Sequence, residues 1–169
     1  MSVIDINNWK EYKLTDIGFT IYHGERQRQA DRIDGNVPLL TARKENQGVA
    51  AYISNPLCIY KDPITVDMFG NCFYHKGSYA GDDNIYFFVN PTLSDNIKLF
   101  ISGVINTRNS ILYNFKTQFR QPNANKLTVL LPQKNSQPDW LFMDEYMGKI
   151  LADTKFRIKV LNDLVEKSV

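Results

Sequence analysis

A chain of 169 residues, 43% hydrophobic and 12% aromatic, is long enough to bury a core as one domain and too apolar to be disordered. No window approaches the roughly 18 uncharged apolar residues of a membrane span, and MSVIDINNWKEYK lacks the basic-then-apolar order of a signal peptide. The net charge of +2 points to no partner by itself, and two cysteines, Cys58 and Cys72, are too few for a disulfide framework, so they read as reduced thiols of a cytoplasmic protein.

In chain order, WKEYKLTDIGFTI would bury Trp9, Leu14, Ile17, Phe19 and Ile21 and reads as a short helical turn leading into a strand. YHGERQRQADRIDGN follows, dense in Arg and Gln and punctuated by Gly24 and Gly35; it reads as a long surface loop. VPLLTA, GVAAYI, PITVDM, NCFYH and NIYFFV are strand-like, with β-branched and aromatic residues bounded by Gly, Asn and Asp. Met68-Phe69-Gly70-Asn71 lies between two of them and suits a tight hairpin, since Gly and Asn tolerate positive φ. From Ser94 to about Leu112 the period changes: Ile97, Phe100, Ile101, Val104 and Ile105 fall at helical spacing, with Ser94 as N-cap. LTVLLP returns to strand.

The last segment starts with Ser136, Pro138 and Asp139, an S-x-x-D capping pattern with Pro in the first turn. Met143, Met147, Ile150, Thr154, Arg157 or Ile158, Leu161 and Val165 then form a stripe at steps of three and four. From Asp139 to Lys167 such a helix would span about 43 Å, longer than a small domain is wide. A helix that outreaches its globule packs on a partner, often as a coiled coil, or folds back on its own sheet.

Charge is distributed unevenly. Residues 96–138 hold Lys98, Arg108, Lys116, Arg120, Lys126 and Lys134 without a carboxylate, which suits either a solvated basic face or a polyanion site.

The catalytic readings fail on residue types. There is no G-x-S-x-G elbow, phosphate loop, dinucleotide fingerprint or N-P-P-F-type methyltransferase signature. Cys72 and His75 would point to opposite faces of a strand, which makes Cys72 a core residue. His23, His75 and two distant cysteines are no metal set. What remains is suited to reading bases. GERQRQADR (Arg26, Gln27, Arg28, Arg32) and TARKENQG (Arg43, Lys44, Asn46, Gln47) carry side chains that pair with guanine and adenine edges. Arg108, Lys116 and Arg120 of the basic stretch could hold phosphates, which supply affinity and register. Each arginine singly is equally well a solvated side chain; the case rests on several loops with the same chemistry.

The order of motifs adds to this: W-x4-L-x-D-I and G-x-R (Trp9, Leu14, Asp16, Ile17, Gly24, Arg26), G-x-x-P-L-L-T-A-R-x-x-N-x-G (Gly35 to Gly48), I-T-V-D-M-F-G-N-x-F-Y (Ile64 to Tyr74), L-P, and P-D-W-x-x-M-x-x-Y (Pro138 to Tyr146). Over nearly its whole length the chain resembles the target-recognition domain of type I restriction–modification specificity (S) subunits. The resemblance implies an α+β fold: a twisted, mostly antiparallel β recognition domain with short helices (residues 1–135), then one long C-terminal helix (136–169). It implies loops that bind half of a bipartite target in double-stranded DNA, with His75, Lys76, Ser78 and Tyr79 continuing from the hairpin toward the DNA. It implies no catalytic residue, metal or cofactor in the chain. S-adenosylmethionine and ATP would be bound by a DNA adenine methyltransferase subunit and, in type I complexes, a restriction subunit. Met143, Met147, Ile150, Ile158, Leu161 and Val165 would face a partner helix. S subunits usually carry two such domains and two helices. One of each fits a half-subunit that forms a homodimer, a truncated gene product or a fragment. The alternatives are an interaction protein that binds restriction–modification subunits through its helix without reading DNA, and a metal-dependent nuclease.

Overall fold

Alternating runs of β-branched and aromatic residues become strands, and the computed structural model, which describes residues 6–166, shows how they pair. The strands are β1 (Trp9–Lys13), β2 (Thr20–His23), β3 (Asp34–Leu40), β4 (Val49–Ile53), β5 (Tyr60–Lys61), β6 (Ile64–Asp67), β7 (Cys72–Tyr74), β8 (Ser78–Gly81) and β9 (Ile85–Val89). Helices α1 (Asp95–Leu112) and α2 (Gln121–Asn125) follow, then β10 (Thr128–Lys134), β11 (Gln137–Pro138) and α3 (Trp140–Glu166). They form three sheets in the orders β1-β10-β11, β2-β9-β6-β7 and β4-β3-β8-β5. Among the described residues only the β3–β8 pair is parallel, so the expected mostly antiparallel α+β fold with a long C-terminal helix is what forms.

β9 explains the arrangement. NIYFFV is apolar without alternation because the strand is covered on both faces. Tyr86 and Phe88 enter the main core, where Ile97, Phe100, Ile101 and Ile105 of α1 pack on Ile64, Val66 and Cys72. Ile85 and Phe87 enter a second cluster with Leu40. Phe87 and Phe88 are completely buried. Helix α1 begins as expected: Ser94 Oγ accepts from Ile97 N at 3.3 Å.

Three local expectations change. WKEYK forms a strand before the turn, because β10 pairs with it residue by residue (Trp9 with Pro132, Lys13 with Thr128); only Leu14–Ile17 is a 3-10 turn. Ser78–Gly81 is a strand and not an open loop, since β3 and β5 flank it. Ser136 does not cap α3. Asn135 and Ser136 have φ of +50° and +63°, a two-residue type I′ turn that folds β11 back onto β10. The cap is Asp139, whose carboxylate accepts from Phe142 N at 3.0 Å.

The expected unit boundary at 135/136 therefore falls inside a hairpin, and α3 divides into two parts. Its first turns belong to the globule: Met143 is fully buried, and Trp140, Tyr146 and Met147 pack on the same core. Met143 is thus a core residue and not partner-facing. Ile150 is half-buried, and from Ala152 onward the helix is exposed, with Phe156 at 66%, Leu161 at 61% and Val165 at 62%. The expected continuation to Lys167 and residues 1–5 of the N-terminal reading lie outside the described residues. Among the described residues no helix is long and apolar enough to cross a membrane.

The two parts of α3 respond differently to substitution. Met143→Ala should cost about 2–5 kcal/mol in chemical denaturation, whereas Leu161→Ala should change stability of the monomer by no more than about 0.5 kcal/mol.

Candidate nucleic-acid interface

At the end of β6 the Asp67 carboxylate turns inward and closes the hairpin over itself. It accepts from Phe69 N (2.8 Å), Asn71 N (3.0 Å) and Asn71 Nδ2 (2.7 Å). Burial pushes its pKa up while these bonds oppose the rise. Gly70 has φ of +81°, and a Cβ there would meet Tyr113 at 3.0 Å, so the turn takes glycine on two counts.

Other connections tie to this turn. Met68 N donates to Asn84 O and Phe119 N to Met68 O, bringing in residues 82–84 and the α1–α2 connection. Asp82 N donates to Leu40 O and Thr41 N to Gly48 O, which fixes the 41–48 loop beside them. Gly24 N and Glu25 N donate to Ile85 O and Gly81 O, anchoring the 24–33 loop. The approach at Gly24 is so close that a Cβ would lie 2.2 Å from Asp82 O. Loops far apart in sequence therefore share one end of the β framework.

Within the 24–33 loop the side chains divide by role. Asp82 accepts from Gln27 N (3.3 Å) and lies 3.9 Å from Arg32, whose guanidinium also donates to Gln27 O at 2.9 Å. Gln27 is 5% exposed and its Nε2 donates to Asn55 O at 2.9 Å. Gln27 is thus spent on the loop's own structure and does not reach outward, and half-buried Arg32 acts with it. Arg26 and Arg28 are exposed; Arg26 meets Asp83 at 3.7 Å.

In the 41–48 loop Arg43, Lys44, Asn46 and Gln47 are all exposed, Arg43 lying 3.5 Å from Glu45. Exposed pairs such as Arg26–Asp83 and Arg43–Glu45 contribute at most about 1 kcal/mol, so these arginines exchange partners readily. Asn46 and Gln47 have φ of +48° and +51°, a left-handed pair that holds both amides outward at a cost of about 1–2 kcal/mol each. Lys116 and Arg120 are exposed on the α1–α2 connection. That connection is closed by Asn114 Oδ1, which accepts from Lys116 N (2.8 Å) and Thr117 N (3.1 Å).

Other expected contacts lie elsewhere. The β6–β7 register pairs Val66 with Cys72 near the turn and Ile64 with Tyr74 away from it, so residues 75–78 emerge at the opposite end. His75 is 2% exposed, 2.9 Å from Thr65 Oγ1 and against the Tyr79 ring at 4.6 Å. Burial lowers its pKa to about 4, so it is a neutral core histidine and not a base or phosphate contact. Lys76, exposed, donates to Asp95 at 2.6 Å, beside the Tyr74 hydroxyl; Ser78 pairs with Lys61 and Tyr79 with Tyr60. Arg108 is turned to the first sheet, donating to Glu11 at 2.9 Å, and Glu11 is held below the usual carboxylate range by Thr128 first and Arg108 second.

The basic stretch 96–138 is consequently no single face. Lys98 is 4% exposed over the Tyr74 ring, and burial lowers its pKa. Cys72 is a buried free thiol whose pKa burial pushes well up, far from nucleophilic chemistry. Among the described residues no group of His, Cys, Asp and Glu could hold a metal ion. The anchors Asp67, Asp82 and Asn55 went unread in the sequence; of these, only D-M-F-G-N announces its turn.

This arrangement, a mostly antiparallel β framework with an attached long helix, has counterparts among known proteins. No family model matches the chain. The chain is 27% identical over 150 residues to the type II restriction enzyme BgcI specificity subunit S.BcgI of Heyndrickxia coagulans, which covers 85% of this chain and 43% of that protein. It superposes on the S subunit of a type I restriction–modification system from M. genitalium with a TM-score of 0.59 at 15% identity, over 94% of this chain and 44% of that one. For the HsdS subunit of Thermoanaerobacter tengcongensis the TM-score is 0.59 at 10% identity, over 89% and 39% of the two chains. For a chain of an assembled type I system it is 0.65 at 10% identity, over 96% and 43%. The resemblance read from the motifs is borne out: the chain is similar to a specificity subunit, and it spans about two-fifths of the length of the relatives it matches.

The buried histidine gives a pH signature. Between about pH 6.5 and pH 4 the unfolded chain takes up a proton that folded His75 refuses, so its contribution is complete above that window and lost as pH falls through it, by up to about 3 kcal/mol. Asp67, with its raised pKa, opposes this at the acid end. Urea midpoints measured from pH 7.5 downward should fall, and His75→Gln should flatten the slope in that range.

Proposed function

We propose that the chain is the sequence-reading half of a DNA specificity subunit. It reads one half of a bipartite target in double-stranded DNA and positions a DNA adenine methyltransferase subunit, with a restriction subunit joining in a type I setting. On this reading the chain is non-catalytic, and S-adenosylmethionine and ATP are held by the partner subunits. The carrying observation is the convergence of independent connections on one end of the β framework, each pinned by backbone hydrogen bonds and each exposing Arg, Lys, Asn or Gln. Rigid loops hold such donors within the tolerance that bidentate pairing to base edges needs. Arg26, Arg28, Arg43, Asn46 and Gln47 are the base-reading candidates, and Lys44, Lys116 and Arg120 hold phosphates. The similarity to specificity subunits supports the same reading.

Helix α3 supports the assembly part. Its 27 residues reach about 40 Å, and Ile158, Leu161, Leu164 and Val165 are exposed beyond the globule. A second such helix, from another copy or another subunit, would cover them. A homodimer would present two recognition ends in two-fold symmetry, and its target would be palindromic with a fixed gap. The same exposed stripe is what favours the second reading, an interaction protein that does not read DNA.

Selection from a random duplex library with the reconstituted methyltransferase complex separates the two. On the enriched duplex, affinity should fall with salt at a log–log slope of about −0.9 per phosphate neutralised. Arg43→Ala should relax preference at particular base pairs at a cost of about 1–3 kcal/mol, and Lys116→Ala should weaken all sequences alike. Enrichment of no sequence, with complex formation intact, selects the interaction protein. Leu161→Glu with Leu164→Glu should abolish self-association while the recognition end stays folded. Plasmid incubated with the chain and magnesium should remain uncut.

A further inference from the structure

Phe115 is 79% exposed on the connection between α1 and α2. A single exposed apolar ring is ordinary on a protein surface, but this one is built in. The turn that carries it is closed by Asn114, through its side chain to Lys116 N and Thr117 N and through its backbone N to Thr117 O at 3.0 Å. Behind it stands Phe69, stacked at 6.4 Å between centroids and 19° between planes. Phe69 is in turn fixed by the Asp67 cradle. The ring therefore stands against a hairpin held by three hydrogen bonds to the Asp67 carboxylate. Lys116 follows Phe115 in the same turn and Arg120 stands just before α2, both exposed.

We propose that Phe115 is a wedge that stacks on a base step of the bound duplex and partly unstacks it, while Lys116 and Arg120 hold the adjoining phosphates. The inference rests on the DNA-reading proposal and adds to it a contact that carries no hydrogen-bond code. Apolar wedges of this kind open a base step and bend the duplex. A locally unstacked duplex also yields a base more easily to an enzyme that must take it out of the helix. Stacking tolerates any sequence because every base has a π-face. The wedge would set register and deformation, leaving sequence choice to the 24–33 and 41–48 loops.

The test uses the full chain at low salt with a random-sequence duplex pool carrying scattered 2-aminopurine. The parent protein should raise 2-aminopurine emission on binding. Phe115→Ala should bind about tenfold more weakly and lose that rise, with an unchanged melting temperature because the ring is exposed. Phe115→Trp should keep the affinity, and its added indole emission, after subtraction of the parent signal, should be quenched by duplex. Arg43→Ala should keep the 2-aminopurine rise per bound complex. If Phe115→Ala binds the pool as the parent does, with the same emission, the wedge is overturned while DNA reading survives. If Phe115→Ala instead loses only self-association or methyltransferase binding, the ring is a protein contact and the wedge is again overturned. If the parent binds no duplex, both the reading and the wedge fall.

Discussion

A buried carboxylate whose hydrogen-bond donors all lie on one hairpin organises the loop-bearing end of this protein. Left without donors, the buried Asp67 carboxylate would carry an uncompensated desolvation cost or take up a proton. The backbone of Phe69 and Asn71 and the Asn71 amide must therefore wrap around it. That wrapping sets where Met68 points its N–H and C=O, and these are the groups that receive the 82–84 turn and the α1–α2 connection. The neighbouring loops are positioned by backbone groups that already have a fixed place, so this anchoring does not depend on their own side chains.

The same economy divides each loop into side chains that hold and side chains that reach. Gln27 and Arg32 satisfy Asp82, Asn55 and the loop backbone, which leaves Arg26 and Arg28 on a firm base. At 41–48 the holding is done by the backbone, and the strained left-handed pair Asn46–Gln47 projects its amides. Strain at that site persists because Thr41 N–Gly48 O closes the loop at its base. The chemistry of arginine and amides alone does not separate these roles; only their partners do.

Helix α3 shows a similar division along its length. Met143 seals the core, and Asp144 accepts from the Ser94 hydroxyl at the start of α1, locking the two helices in register. From Ala152 to Glu166 the helix is exposed, and the apolar stripe continues along it. One periodic pattern thus makes two surfaces, an internal one covered by this chain and an outer one that stays exposed.

Local physics decided much of the fold in advance. The strands of β3, β4, β6, β7, β9 and β10, the glycine hairpin, the Ser94 cap and the helical periods all follow from neighbours within a few residues, so they were legible in the sequence. The arginine- and amide-rich loops were legible too, as loops. What needed the tertiary structure was every pairing across distance. β10 makes a strand of Trp9–Lys13, the β6–β7 register sends His75 and Lys76 away from the turn, Lys98 goes into the interior, and Arg108 turns to Glu11. Sequence carries residue type and spacing, and these set propensity and local turns. Which end of a sheet a side chain occupies, and whether water reaches it, depends on partners tens of residues distant that no local pattern encodes.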